Sequence, residues 1–463
     1  MPVPKTGALP LGHAPLIYTK NRGNCSLFVP VSQPLALFCY NYHKMHIREP
    51  RDFEAVRSKR QARHRVKKLR HLVLVGCIVL MTLTLLAYGA YLRPLPAVNA
   101  KTITPTVTAE QLALSWPAVG QAAIGVKDQG VMAETAAQKP VPMASVAKVM
   151  TALAVLKKHP LSPGETGPVL TMTEADVNRY NNYINQGGSA VRVEAGEQMT
   201  EYQALQAIML PSANNIADSL AVWAYGSMGA YHTAANQLAR SMGMTNTTLA
   251  GDASGLLPES VSTPHDLVLM GQAAIDNAVL KEIASQPTAV LPLVGTVTNV
   301  NVFLGRGGIV GLKTGNTDQA GGCYLFAATR KLPSGQSITT IGAIMAAPSL
   351  GQAMTSSLPL LDSFYQGFSN VVAVPKGTVV ARYTLPWNGQ TVAAVTAQDT
   401  TLLNWRGSKI GVKISTTALT APQPAGAPAG SLVAQSTYGQ ATTQVVLSTA
   451  LQPPTWQWRI FRK

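Results

Sequence analysis

Twenty-one consecutive residues, Leu72 to Leu92, carry no charged side chain. A run of that length and composition suits one membrane-spanning helix, and it splits the chain into two parts with different surroundings. The upstream flank holds Arg57, Lys59, Arg60, Arg63, Arg65, Lys67, Lys68 and Arg70, whereas only Arg93 lies close downstream. The positive-inside rule therefore places the N-terminus in the cytoplasm and everything after the run outside, in a single-pass cell-membrane protein. A cleaved signal peptide is the rival reading. The long basic region and the 21-residue apolar core favour an anchor, while Ala97 to Ala100 could serve as a processing site.

Charge follows the same division. Residues 1–93 hold 15 Lys and Arg against 3 Asp and Glu, and the remainder holds 22 against 18, out of a total net charge of +16. The basic excess crowds against the apolar run instead of lying on a folded domain, which argues against a nucleic-acid partner. Residues 1–44 are rich in Pro, Gly and Asn without periodicity and read as a disordered tail; translation starting at Met45 is an alternative. Cys25, Cys39 and Cys77 fall on the cytoplasmic or membrane side, leaving Cys323 alone outside, so no disulfide is expected there.

The pattern implies a basic, largely disordered tail over 1–70, a transmembrane anchor over 71–93 and a Pro/Ala/Thr-rich linker over 94–120. A hairpin over Ala122 to Ala133, helices over 145–280, strands over Cys323 to Thr329 and Ile338 to Met345, and a helix over Ser349 to Phe368 make one domain, 121–370. Strands at both ends with helices between predict an α/β (α+β) domain: one sheet flanked by helices, with a helical insert. Short β-like runs from Val371 to Leu447, with Ala421 to Gly430 as a loop, predict a small all-β domain over 371–463. The tail from Trp456 to Lys463 mixes aromatics with bases and reads as a final strand or a membrane-touching segment.

Three short motifs carry the chemistry. Ser145-Val146-Ala147-Lys148 opens a helical pattern in which Val146, Val149, Met150 and Leu153 share a face. Residues three apart on a helix are neighbours, so Lys148 comes within reach of the Ser145 hydroxyl. A serine is a poor nucleophile without an adjacent base, and a lysine desolvated beside another cation can act as one. Ser212-Ala213-Asn214 precedes a second helical pattern. Lys313-Thr314-Gly315 ends a Gly-punctuated apolar run that reads as a strand; Lys313 could be the second positive charge, and Gly315 leaves room for a substrate backbone. Backbone N–H groups at Ser145 could hold an oxyanion. Singly, Ser145 and Asn214 read as caps, and Lys148 and Lys313 as ordinary surface lysines. Asp218, Asp252 and Asp266 read as caps or salt-bridge partners, and His159, His232 and His265 as surface or loop residues. No metal-ligand spacing is present.

These motifs in this order resemble those of the D-alanyl-D-alanine carboxypeptidases, the low-molecular-mass penicillin-binding proteins of peptidase family S11. The likeness covers roughly residues 105–370. It includes Pro142 to Thr151, Met209 to Asn215, Gly311 to Thr317 with Ala320-Gly321, and the linking segment Asp252-Ala253-Ser254-Gly255-Leu256 with Ser262, Thr263 and Asp266. The resemblance implies a serine β-lactamase/transpeptidase-like fold and no cofactor. It makes Ser145 the acylated nucleophile, Lys148 its base, Ser212 the proton relay and Asn214 a holder of the substrate amide. Lys313 and Thr314 would bind the terminal carboxylate, with Gly315 beside it. The oxyanion would lie between the N–H groups of Ser145 and Asn316, where many relatives have His at the second position. The implied partners are peptidoglycan stem peptides ending in D-Ala-D-Ala, β-lactam inhibitors and, through the apolar run, the lipid bilayer. Many relatives have a C-terminal amphipathic anchor, and here the anchor is expected at the N-terminal side. A D,D-endopeptidase, a serine β-lactamase and a non-catalytic cell-wall scaffold are the alternatives. Against the β-lactamase, neither Glu259 nor Glu282 has the sequence context of a deacylating glutamate.

Overall fold

The computed structural model describes residues 51–107 and 112–463. The tail expected over 1–50, the alternative start at Met45, and Cys25 and Cys39 lie outside the described residues. The chain divides into two units, residues 1–86 and 87–463.

A single 41-residue helix spans Arg51–Tyr91, and its portion from Arg57 to Tyr91 is long and apolar enough to cross a membrane. The expectation of a disordered segment as far as residue 70 is corrected over 51–70. That stretch contains no Gly or Pro and is built largely of Arg, Lys, Gln and Ala, which favour helix, so the helix extends through the basic flank.

The second unit opens with a correction to the linker. Ala100–Thr102 is a strand, paired antiparallel with Val379–Thr384 through Ala100 to Tyr383 and Thr102 to Ala381. Leu112, Leu114 and Trp116 also pack against a buried cluster that includes Phe364 and Trp405. The segment is therefore built into both folded parts instead of merely spacing them.

A five-stranded antiparallel sheet runs in the order Ile309–Thr317, Gly321–Lys331, Ser337–Ala347, Gln121–Val126, Gly130–Glu134. Its central strands are buried on both faces, and the two-residue period sorts their side chains. Cys323, Leu325 and Ala327 join one core cluster with the helical insert. Tyr324, Phe326 and Ala328 join another with Leu360, Leu361 and Phe364 of the helix Leu350–Gln366. Helix Pro264–Asp276 covers the first face, where Gly271 lets it press close: a Cβ there would lie 2.6 Å from Ile341. At the heart of the insert, helix Ala147–Lys158 is buried continuously from Ala147 to Leu156.

The C-terminal part is a six-stranded sheet ordered Ala100–Thr102, Val379–Thr384, Thr391–Thr396, Gln440–Leu447, Pro428–Gln435, Gly411–Thr416. A two-stranded pair, Phe368–Val374 with Thr400–Trp405, accompanies it. The loop expected over 421–430 ends earlier, because Pro428 to Gly430 already pair with Val446 and Val445. The C-terminal segment is not a strand: Trp456–Phe461 is a short helix capped by the Thr455 side chain.

Candidate active site

Ser145 lies in a 3-10 turn, Ala144–Val146, that runs directly into the helix Ala147–Lys158. The one-turn spacing brings Lys148 Nζ to 2.8 Å from Ser145 Oγ. Lys148 is fully buried and also donates to Asn214 Oδ1 at 2.6 Å and to the Ser254 carbonyl at 3.0 Å. Those two oxygens are acceptors only. When Lys148 is a neutral amine, its two N–H bonds therefore satisfy them, and its lone pair is left for the Ser145 hydroxyl. Burial pushes the lysine down to about 7, against smaller upward pulls from the Asp252 and Asp218 carboxylates.

Asn214 is the first residue of helix Asn214–Tyr225. Its N–H donates to the Ser189 carbonyl at 2.8 Å, which fixes the helix start beside Lys148. Ser212, two residues earlier, has φ +67, a left-handed conformation that non-glycine residues adopt at a cost of roughly 1–3 kcal/mol. Lys313 Nζ donates to Ser212 Oγ and to the Thr314 carbonyl, both at 3.0 Å. Lys313 is buried as well, and the loss of water, followed by repulsion from Lys148, holds it well below the usual lysine range.

The strand Ile309–Thr317 passes against the serine turn. A Cβ on Gly315 would lie 3.0 Å from Ser145 N and 3.0 Å from Ala144 Cβ, so glycine is what lets the two backbones approach. Thr314 is buried and Asn316, the next residue after the glycine, is exposed. The structure thus gathers two hydrogen-bonded groups into one cluster, Ser145, Lys148 and Asn214 in one and Ser212 and Lys313 in the other, close enough for the two lysines to repel each other, with Thr314, Gly315 and Asn316 on the strand beside them.

Behind this cluster lie Asp218 and Asp252, which the sequence offers as caps or salt-bridge partners, and the Tyr183 phenol, which its sequence context does not single out. Asp252 Oδ2 accepts from Ser254 Oγ at 2.6 Å, Tyr183 OH at 3.1 Å and Leu256 N at 3.1 Å, and its Oδ1 accepts from Gly255 N at 2.9 Å. Asp218 accepts from Tyr183 OH at 2.6 Å and Ala253 N at 2.9 Å. Together they shape the turn that presents the Ser254 carbonyl to Lys148. This corrects the salt-bridge reading, since neither Asp forms an ion pair among the described residues. The only advance signal was the Asp-Ala-Ser-Gly-Leu segment itself.

None of the three histidines joins the cluster. His265 Nδ1 pairs with Glu134 at 2.8 Å, and His159 stacks on Trp223. Cys323 sits opposite Gly315 in the sheet, with burial raising its thiol to about 11. Among the described residues, no group of three His, Cys, Asp or Glu could hold a metal ion.

A family model described as Peptidase S11, D-alanyl-D-alanine carboxypeptidase, matches residues 113–347, just over half of the chain. The D-alanyl-D-alanine carboxypeptidase DacB2 of Mycobacterium tuberculosis is 31% identical over 195 residues, covering 41% of this chain and 62% of the relative. A D-alanyl-D-alanine endopeptidase of Escherichia coli is 28% identical over 194 residues, covering 40% and 58%. The chain thus spans about three fifths of the length of these curated relatives. The crystal structure of a peptidoglycan synthesis regulatory factor (PBP3) from Streptococcus pneumoniae shares the fold, with a TM-score of 0.51, 20% identity, and coverage of 73% of this chain and 100% of that one.

Proposed function

This chain belongs to the Peptidase S11 family of D-alanyl-D-alanine carboxypeptidases, and from that premise we propose that it removes the terminal D-alanine from peptidoglycan stem pentapeptides through an acyl-enzyme on Ser145. The observation that carries the reading is the Lys148 amine. It is buried, lowered to about 7, and so bonded that its free lone pair faces the serine at 2.8 Å.

In acylation, Ser145 Oγ gives its proton to Lys148 Nζ and attacks the carbonyl of the penultimate D-alanine. The developing oxyanion lies between the N–H groups of Ser145 and Asn316, brought together by the close approach at Gly315. The proton then passes through Ser212 to the leaving amine as the C–N bond breaks. Lys313, bonded to Ser212, faces the terminal carboxylate with Thr314. An arriving anion favours the charged form of Lys313, so substrate binding draws a proton onto this lysine while Lys148 stays neutral. Asn214 keeps Lys148 oriented with Oδ1 and offers Nδ2 to a substrate carbonyl. Water then hydrolyses the ester, with Lys148 again as base.

A penicillin enters the same path because its strained amide resembles the D-Ala-D-Ala bond. Neither Glu259 nor Glu282 makes a hydrogen bond or ion pair with the cluster among the described residues, and Glu282 accepts from Tyr202 OH at 2.7 Å, which weighs against rapid β-lactamase turnover. An endopeptidase would use the same acyl donor, and relatives bearing that name are about as similar as the carboxypeptidases. The basic flank and apolar helix favour an N-terminus in the cytoplasm with the active site outside. The test is D-alanine release from a synthetic pentapeptide by the full-length chain in detergent. Release is expected from the wild type and not from Ser145→Ala; equal release by both would sink the proposal.

A further inference from the structure

The segment Gly187-Gly188-Ser189 follows the helix Glu174–Asn185 and passes directly beside Asn214. It is held at three points. Gly187 N–H donates to the Ile184 carbonyl at 3.0 Å and Gly188 N–H to the Tyr183 carbonyl at 2.8 Å, which close the helix end, and the Ser189 carbonyl accepts from Asn214 N–H at 2.8 Å. Gly187 has φ +70, the left-handed conformation that suits glycine just past a helix. Gly188 lies outside that region, so its backbone would admit any residue. Its missing side chain has another cause.

Space supplies that cause. A Cβ on Gly188 would lie 2.8 Å from Asn214 Nδ2, 3.3 Å from the Tyr183 carbonyl oxygen and 3.4 Å from Leu256 Cδ2. Unbonded carbon ordinarily sits about 3.5–4.0 Å from its neighbours, so the Asn214 amide is the group that would have to give way. It is not free to do so. The residue is 2% exposed, its Oδ1 accepts from Lys148 Nζ at 2.6 Å, and its N–H is tied to Ser189. A methyl group at position 188 would therefore turn the amide about its Oδ1 contact and swing Nδ2 aside. Nδ2 makes no hydrogen bond among the described residues, so this donor is the part of Asn214 left over for a ligand.

We infer that Gly188 is a positioning residue, whose bare backbone keeps Asn214 Nδ2 aimed at the carbonyl of the acyl-side amide, the one on the nitrogen of the penultimate D-alanine or on the ring amine of a penicillin. The inference rests on the acyl-enzyme reading above and adds a residue that acts through Asn214.

The experiment compares two drugs on the full-length chain in detergent, wild type beside Gly188→Ala. Benzylpenicillin carries the side-chain carbonyl; 6-aminopenicillanic acid has the same strained amide and carboxylate but lacks that carbonyl. Second-order acylation rates are read from intact mass. With 6-aminopenicillanic acid, the variant slows only by the part of the displacement that reaches Lys148. With benzylpenicillin it slows by that part and by a further factor of about threefold to tenfold, the worth of one neutral hydrogen bond. A role confined to packing would slow both drugs alike. Equal factors for the two drugs, including complete loss of both, or no change in either, would overturn the role of Gly188 alone. A wild type acylated by neither drug would overturn the acyl-enzyme reading, and this inference with it.

Discussion

Acylation of Ser145 should slow steeply as the pH falls below neutrality, because the base is an amine and not a carboxylate. The perturbation is pH alone. Lys148 is lowered to about 7 by burial; its lone pair exists only in the deprotonated form, and acid removes it. At pH 5, two units lower, only about one molecule in a hundred retains the neutral amine. The second-order rate of benzylpenicillin acylation should therefore fall about 100-fold from its plateau above pH 8, equivalent to about 2.7 kcal/mol. The drug's own carboxylate stays ionised over this range, since carboxylates ordinarily titrate near 4. Lys313 shares the site and is also lowered, so the limb belongs to the coupled pair of amines. The assay is a time course of intact mass for the full-length chain at pH 5, 6, 7 and 8. A rate independent of pH across that range, or one that rises toward acid, would refute lysine as the base.

Two further outcomes follow from the same geometry. Replacing Asp252 with Asn removes a charge that raises Lys148, so the acid limb should move to lower pH even as the loosened turn slows the plateau several-fold; a slower rate with an unmoved limb would mean Asp252 only holds the turn. Glu201 is fully buried with neither carboxylate oxygen partnered, and burial raises it from 4.5 to about 7. Its folded form is raised above its unfolded value, so its favourable contribution is present below about 4.5 and lost as the pH rises through about 7. Glu201→Gln should therefore melt higher than wild type at pH 8, by up to about 3 kcal/mol, with little difference at pH 4.5. An equal difference at both pH values would contradict this account.

What could be read in advance followed from local spacing. A separation of three positions from Ser145 to Lys148 in a helical pattern is itself a distance, and the structure has their side-chain atoms at 2.8 Å. The strands on either side of the Pro333-Ser334-Gly335 turn were legible because their apolar runs are long and the turn residues mark the gap. Features made by distant pairing were not legible. The Ser254 carbonyl that accepts from Lys148 belongs to the backbone, 106 positions away, and any residue type supplies the same atom. Tyr183, Asp218 and Asp252 meet only after three separate segments pack together. The strand Ala100–Thr102 has three residues and no alternation of its own; its partner across the sheet makes it a strand. The segment from Arg51 to Arg70 departs from the expected disorder because its helix-forming side chains continue the apolar helix without a break.

The most direct test of the account is to incubate the full-length chain with benzylpenicillin, digest it, and locate the adduct by peptide mass. The prediction is one penicillin mass on the peptide that carries Ser145, long-lived in the wild type and absent in Ser145→Ala. An adduct on another residue, or the same adduct in both proteins, would contradict a serine acyl-enzyme at this site.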